Sequence, residues 1–457
     1  VSPKKKTIED VGPWLVTSLP GPKSKKIVAR DERYVSPSYT RAFPVVVDRT
    51  EGLYVYDVDG NRFLDMHAGI SVCNVGNNNP EVIAAVQEQV RRAIHIATAD
   101  FYHPLTAELA ERLGRTVPGM KRPRVFFTNS GTESVEAGMK LARYHTRKPI
   151  YIAFTGSFHG RSFGSLSLTA SKKVQRERFA PLLPTVVHVP YPNPYRPLFG
   201  AGSTKNGARE YIDYIEQHVF ARVAPPEDVA AIVVEPIQGE GGYIVPPDGF
   251  IKNLRELADK HDILLMADEV QSGNGRTGKH WAIDHEGVIP DILVTAKGLA
   301  NGMPLGACIS SASVMKWGPG SHSTTWGGSP PSCAAAIAVL DLLEGGLIEN
   351  AAKMGKHFKR GLQTLQKTHR LIGDVRGRGL MLAVELVRDR ATKERAVAER
   401  DALVNVLYKR GVMTLGCGES GIRFIPPLTI DRAHVDHFLD ILDEALTKVE
   451  KRRFKSR

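Results

Sequence analysis

The segment Ile292-Leu293-Val294-Thr295-Ala296-Lys297-Gly298 ends an apolar run in a lysine. Apolar surroundings disfavour an ammonium, and the neutral amine they leave is a nucleophile able to form a Schiff base. A lysine that reaches out to water is the plainer alternative. A second apolar run, Ile263-Leu264-Leu265-Met266-Ala267, closes on Asp268-Glu269-Val270-Gln271. A carboxylate at the rim of a core needs a cationic partner, so Asp268 reads as a salt-bridge member, a metal ligand or the partner of a bound cation. A third run, Arg124-Val125-Phe126-Phe127, leads into Thr128-Asn129-Ser130-Gly131-Thr132-Glu133-Ser134. Small hydroxyl residues at a helix start present free backbone N–H groups and a positive dipole end to a phosphate, and they also make ordinary helix caps. The fourth strand end, Glu235-Pro236-Ile237-Gln238-Gly239-Glu240-Gly241-Gly242, carries two glutamates on a glycine turn that could move a charge or simply reverse the chain.

In an open parallel sheet a ligand lies beyond the carboxyl ends of the strands, where all four segments fall. A phosphate cradle, a carboxylate for a ring nitrogen and a Schiff-base lysine together fit one cofactor, pyridoxal 5′-phosphate (PLP).

The elements that must position these residues follow from the apolar pattern. Short strands at 124–128, 150–154, 186–189, 231–234, 263–267 and 292–294 alternate with helical segments, which predicts a mainly parallel sheet covered on both faces. Before it, Val45-Val46-Val47, Leu53-Tyr54-Val55-Tyr56 and Arg62-Phe63-Leu64 predict a small meander turning at Asp57-Val58-Asp59-Gly60-Asn61. The first forty or so residues, rich in Pro, Lys and Ser, read as an extended or irregular arm. Asn79-Pro80 opens a helix carrying Val82, Val86 and Val90. After about residue 335 the pattern predicts two long helical stretches, a glycine-rich segment at 375–379 leading into a strand at 380–384, a further helix, a strand around 422–425 and a closing helix from Ala433. The expected domains are an arm and meander over 1–75 that pack with a small domain, a large cofactor-binding domain over 76–335, and a C-terminal α+β domain over 336–457.

With 457 residues, 42% hydrophobic and 24% charged, the chain is long enough for two units and has the composition of an ordinary globular protein. The net charge of +12 could suit a polyanion, but it is dispersed except at Lys4-Lys5-Lys6 and at 451–457. Solvated ends explain those clusters, and neither a nucleic-acid nor a membrane partner is expected. Cys73, Cys308, Cys333 and Cys417 are widely spaced and suggest neither a metal site nor a disulfide framework. No stretch reads as an apolar span of ~18 residues, no apolar signal region follows the first lysines, and a cytoplasmic protein is the expectation.

Ser130-Gly131-Thr132-Glu133-Ser134, Phe158-His159-Gly160-Arg161, Glu235-Pro236 with Gly239-Glu240-Gly241-Gly242, Asp268-Glu269-Val270-Gln271, Thr295-Ala296-Lys297 and Arg423-Phe424-Ile425-Pro426-Pro427-Leu428 form a specific combination. From about residue 40 onward the chain resembles the class III aminotransferases, fold type I PLP enzymes that include the 4-aminobutyrate, ornithine and acetylornithine aminotransferases. The resemblance implies an α/β large domain built on a mainly parallel seven-stranded sheet, a smaller α+β domain, and transfer of an amino group from an amino acid to a 2-oxo acid such as 2-oxoglutarate in a ping-pong cycle. It also implies residue roles. Lys297 would form the Schiff base and shuttle the proton, and Asp268 would keep the pyridine nitrogen protonated. Gln271 would meet the ring hydroxyl, Phe158 would lie against the ring, and His159 would belong to the cofactor site. Ser130, Gly131 and Thr132 would hold the phosphate. Thr325 would reach the phosphate of a neighbouring subunit, which implies a homodimer, or a dimer of dimers, with shared sites. Arg423 would clamp the α-carboxylate of the oxo acid and Glu240 would pair with that arginine when another substrate is bound. Glu235 is placed with the substrate contacts, Arg161 would meet a carboxylate of the donor, and Ile70 lies where donor size is partly set. The apolar Ile70 resembles the 4-aminobutyrate and acetylornithine members rather than the ornithine ones.

Two departures stand out. Gly76-Asn77-Asn78-Asn79-Pro80 replaces the usual Gly-His-x-His-Pro, and Gly327-Gly328-Ser329-Pro330 replaces Gly-Gly-Asn-Pro. Archaeal relatives of the family racemise amino acids with the same apparatus, and Ser36-Pro37-Ser38-Tyr39-Thr40-Arg41 resembles their sequences, so an amino-acid racemase is the alternative. A non-catalytic or nucleic-acid-binding relative would not be expected to keep Lys297, Asp268, Gln271 and Arg423 together.

Overall fold

The computed structural model describes residues 11–200 and 206–452. Lys4-Lys5-Lys6 and the last five residues of the basic C-terminal run lie outside the described residues. The chain divides into two compact units, Pro80–Ile348 and the combination of Val1–Asn79 with Glu349–Arg457.

The larger unit is built on a seven-stranded sheet. Its spatial order is Pro123–Thr128, Gly306–Ser311, Ile292–Thr295, Leu264–Asp268, Val229–Val234, Ile150–Phe154 and Val186–Val189. All strands run the same way except Gly306–Ser311, which is antiparallel to both of its neighbours. Val229–Val234 and Ile292–Thr295 are buried along their whole length, as strands covered on both faces must be. The helix Gly131–Thr146 buries Val135, Ala137, Met139, Leu141 and Ala142 in the same core as Ala231, Val233, Met266, Ile292 and Val294. The helix Pro330–Leu342 runs on into Leu343–Leu347, where Gly346 at φ 122° breaks the helical backbone before Ile348–Thr368 begins. This run contains an 18-residue window of mean hydropathy 1.5, half of it buried in the fold, which corrects the expectation that no stretch approaches that length. Its Pro330–Leu342 part packs on helices Pro80–Arg92 and Pro104–Arg115, so protein covers its apolar faces.

The other unit holds two sheets. The meander runs Val47–Glu51, Tyr54–Asp57 and Arg62–Asp65, and Val412–Met413 adds in parallel to the last strand. The second sheet is ordered Ile372–Arg378, Met381–Asp389, Gly421–Phe424 and Leu415–Cys417, with Glu394–Arg395 paired to Met381–Asp389. Phe358, Phe424 and Phe438 meet in its core with ring centroids 5.2–5.6 Å apart. The glycine-rich segment at 375–379 was expected only to lead into a strand. Its first four residues form the end of one, because Gly377 at φ 124° lets the backbone pass Met381 and Leu382, where a Cβ would collide.

The arm is also corrected. Pro22–Tyr34 is a helix, although its composition read as irregular. Its first N–H groups, on Lys23 and Ser24, donate to Asp59 Oδ1 and Oδ2 at 2.8 Å, a cap borrowed from the meander turn. Asn61 from the same turn accepts from Val16 and Thr17 N–H at 2.9 and 3.0 Å. Gly355 on Ile348–Thr368 faces the backbone of Gly379, where an added Cβ would overlap main-chain atoms that have no room to give. We expect Gly355→Ala to lower stability by about 2 kcal/mol or more, seen in urea unfolding. An unchanged midpoint would show that this packing is not required.

Candidate active site

The strand register brings the chemistry to one edge of the large sheet. Asp268 ends its strand opposite Val294, three residues before Lys297, and Val234, just before Glu235, lies opposite Ala267. Ser134 Oγ donates to the Thr295 carbonyl at 3.1 Å, which ties the Gly131–Thr146 helix to the chain entering Lys297. Asn274 Nδ2 supports the same approach by donating to Thr295 Oγ1 at 3.0 Å. Lys297 is half-buried and has φ 47°, in the left-handed region that non-glycine residues seldom occupy. Strain of this kind is concentrated where function fixes a side-chain direction.

Alternation along the strand separates the two carboxylates of the Asp268-Glu269 pair. Glu269 is fully buried, accepts from Ser272 Oγ and the Ile283 N–H at 2.5 and 2.7 Å, and is pushed up to about 8 by burial. Asp268 faces the strand-end site. His159 Nδ1 donates to its Oδ2 at 2.7 Å and the Val270 N–H to its Oδ1 at 3.0 Å. Burial disfavours the charged imidazole, but the Asp268 hydrogen bond and the charges of Asp268 and Glu235 outweigh it and raise the His159 pKa. The arrangement pairs the Asp268 carboxyl group with the His159 ring through a short buried hydrogen bond. Among the described residues no group of three His, Cys, Asp or Glu could hold a metal ion.

Ser130 caps the Gly131–Thr146 helix, its Oγ accepting the Glu133 N–H at 3.4 Å. Thr132 Oγ1 lies 2.7 Å from Ser162 Oγ and 2.6 Å from Ser165 Oγ and accepts the Arg161 N–H at 3.3 Å. The loop bearing Phe158, His159 and Arg161 is thereby bound to the helix start, with the exposed Arg161 guanidinium 5.5 Å from the Phe158 ring centroid. The first three segments of the sequence reading therefore converge here. Gln271 is buried, and Tyr243 Oη donates to its Oε1 at 2.7 Å, a fixing residue that the sequence reading missed because its φ of 55° and its partner 28 positions away leave no local signal.

Glu240 pairs with Lys172 at 2.5 Å. Glu235 does not face outward. It is buried, accepting from the Phe158 and Gly239 N–H groups, and burial pushes its carboxyl up to about 7, with His159 opposing the rise and Asp268 adding to it. Thr325 is exposed beside the 64% exposed Trp326, and its neighbour Thr324 accepts from Asn129 Nδ2 at 3.1 Å.

Two predicted residues belong to the other unit. Ile70 is half-buried in a left-handed turn, with Ala68, Gly69, Ile70 and Ser71 at φ 46°, 61°, 65° and 63°. A single turn of this hand costs roughly 1–2 kcal/mol per non-glycine residue. It is held by Gly69 N–H to His67 Nδ1 at 3.0 Å and by Val72 N–H to the Ala68 carbonyl at 2.8 Å. Arg423 is buried on Gly421–Phe424, opposite Ala383 and Leu415. In the departing Gly76-Asn77-Asn78-Asn79-Pro80 segment, Asn77 Nδ2 donates to Asp65 Oδ2 at 2.8 Å, so an amide makes the tie there.

The sheet order, the single antiparallel strand and the strand-end lysine and aspartate define a fold type I transaminase architecture. Residues 34–446 match the model of the class III aminotransferases, and the chain belongs to that family. It is 38% identical to the 4-aminobutyrate aminotransferase of Mycobacterium leprae, covering 94% of this chain and 97% of that one. It is 34% identical to the alanine/serine racemase of Pyrococcus horikoshii, covering 95% and 92%. Among solved structures, a thermostable (S)-enantioselective omega-transaminase from Thermomicrobium roseum superposes with a TM-score of 0.86 at 34% identity, over 93% of this chain and 98% of that one.

Family membership implies PLP, and the residues present fit it. Gly131 leaves the helix start without a side chain where a Cβ would press on Val270, and the next residue, Thr132, joins its hydroxyl to those of Ser162 and Ser165. A fixed, buried carboxylate and a fixed carboxamide stand at the neighbouring strand end, suited to a ring nitrogen and a ring hydroxyl.

Proposed function

We propose that the protein is a PLP-dependent aminotransferase that moves an amino group from an amino acid, ω-amino acids such as 4-aminobutyrate included, to 2-oxoglutarate in two alternating half-reactions. The observation that carries this reading is Asp268, a buried carboxylate fixed by His159 at the strand end beside the strand that leads to Lys297. PLP, when bound, would supply an electron sink for the pair released from the C–H bond of the substrate carbon that bears the amino group. The Lys297 Nζ would take that proton and deliver it to the cofactor carbon bonded to the amino nitrogen, not back to the substrate. Asp268 would keep a proton on the ring nitrogen, and Gln271, fixed by Tyr243, would meet the ring hydroxyl. The helix-start N–H groups of Gly131 and Thr132, with Ser130, would hold the phosphate, and Phe158 would lie against the ring. His159 acts by holding Asp268.

Arg423 takes the α-carboxylate of the oxo acid as a bidentate fork, Arg161 meets a donor carboxylate, Glu240 tunes the charge of the substrate site, and Ile70 limits donor size. The active form is a homodimer in which Thr325 reaches the partner's phosphate. We expect Arg423→Lys to raise the KM for 2-oxoglutarate at least about tenfold through loss of the fork, with PLP affinity unchanged. An unchanged KM would place the acid elsewhere. Feeding ¹⁵N-labelled amino donors with 2-oxoglutarate tests the transfer itself. Label in glutamate is the expected result, and its absence with every donor would reject the reading.

The racemase relative supports a second reading, in which the same lysine and aspartate serve proton exchange at Cα without an oxo acid. That chemistry also needs a proton donor on the ring face opposite Lys297.

A further inference from the structure

The two oxygens of Glu235 hold different loops. Oε2 accepts the Phe158 N–H at 3.0 Å and Oε1 the Gly239 N–H at 3.0 Å. Phe158 and His159 lie on the loop after Ile150–Phe154, whereas Gly239 precedes Glu240 on the loop after Val229–Val234. The loops pack closely, since a Cβ on Gly241 would strike the Gly156 carbonyl, and Gln238 Nε2 adds an uncharged tie to the Thr155 carbonyl at 2.9 Å. The groups facing the carboxylate are His159 from the first loop and Asp268 from the adjacent strand. Tyr191 Oη donates to the Glu235 carbonyl at 3.1 Å, and His188 on the outer strand acts on His159.

We propose that Glu235 is a positioning residue whose single buried carboxylate keeps the loop presenting Phe158 and His159 in register with the loop presenting Glu240. The cofactor-facing and substrate-facing sides of the site are then set together, a consequence that rests on the PLP reading of those residues. The ionised carboxylate accepts both N–H groups. Once protonated, the group is neutral and one oxygen becomes a donor, so both N–H groups lose a charge-assisted acceptor. With the carboxyl at about 7, the clamp engages as pH rises from about 6 to about 8. The linkage to global stability has the opposite sign. A carboxyl raised on folding stabilises fully below its unfolded pKa, and that contribution is lost as pH rises through the folded value. The global loss runs from about pH 4.5 to about pH 7, so local tightening overlaps global loosening between about pH 6 and about pH 7.

Hydrogen exchange on the cofactor-free protein tests the clamp apart from the cofactor. After correction for intrinsic rates, the Phe158 and Gly239 amides should gain about tenfold protection between about pH 6 and about pH 8, one charge-assisted hydrogen bond's worth. Glu235→Gln, which can accept only one of the two N–H groups, should flatten that gain and bind PLP about tenfold more weakly, with exchange along Val229–Val234 unchanged. Glu235→Asp, charged but one methylene short of spanning both loops, should lose protection at one amide and serves if the glutamine variant does not fold. Equal protection at both amides in wild type and variants, or equal PLP affinity in a wild type that binds PLP, would overturn the proposal. Amides loosened in the variants but not in wild type, with a wild type that binds no PLP, would uphold the clamp and reject the cofactor reading.

Discussion

Lys297→Ala is expected to lower kcat by at least about 10⁴-fold, because one amine is assigned both the covalent attachment and the proton transfer. PLP should still bind, held by the helix start and by Asp268, but borohydride should no longer fix it to the protein. A small primary amine added to the variant should restore part of the rate, since it can carry a proton where the side chain ended. The left-handed backbone at Lys297 makes the position specific, and Asn274 and Ser134 hold Thr295 on the chain that enters it. Activity above about a hundredth of wild type would remove Lys297 from the proton path.

Asp268→Asn is expected to cost on the order of 10²–10³ in kcat, the range found when one preorganised electrostatic partner is removed from a buried site. The amide keeps the shape and can still accept from His159 through its oxygen. It carries no charge, so a ring nitrogen beside it would not keep its proton. His159 would also lose the Asp268 charge that helps raise its pKa, and burial would then favour the neutral ring. The pH profile should therefore change along with the rate. A variant with near-normal kcat and an unchanged profile would show that Asp268 is not the ring's counter-charge.

The four strand ends were legible because each couples a non-local fact, an apolar run long enough to be buried, to a local break into polar residues. That is why Ser130, Asp268 and Lys297 could be read from the sequence. The parallel strands were legible for the same reason. Gly306-Ala307-Cys308-Ile309-Ser310-Ser311 was not, since small residues there fit between Pro123–Thr128 and Ile292–Thr295 without an apolar signature. The Pro22–Tyr34 helix depends on Asp59, far along the chain, and no local pattern announces a borrowed cap. Glu235 shows a different limit. Its sequence neighbours mark it as a strand-end carboxylate, as they do Glu240, but only the backbone path reveals that one is clamped inward while the other meets Lys172. The left-handed turn at Ile70 was equally hidden, because three of its four residues are types that avoid that region.

The most direct test of the central claim incubates PLP-loaded protein with a panel of L-amino acids and 4-aminobutyrate, with and without 2-oxoglutarate, and resolves the products by chiral chromatography. The account predicts L-glutamate only where 2-oxoglutarate is present, in amounts matching the donor consumed. D-amino acid accumulating toward an even mixture without any oxo acid would contradict it and establish racemisation on this scaffold.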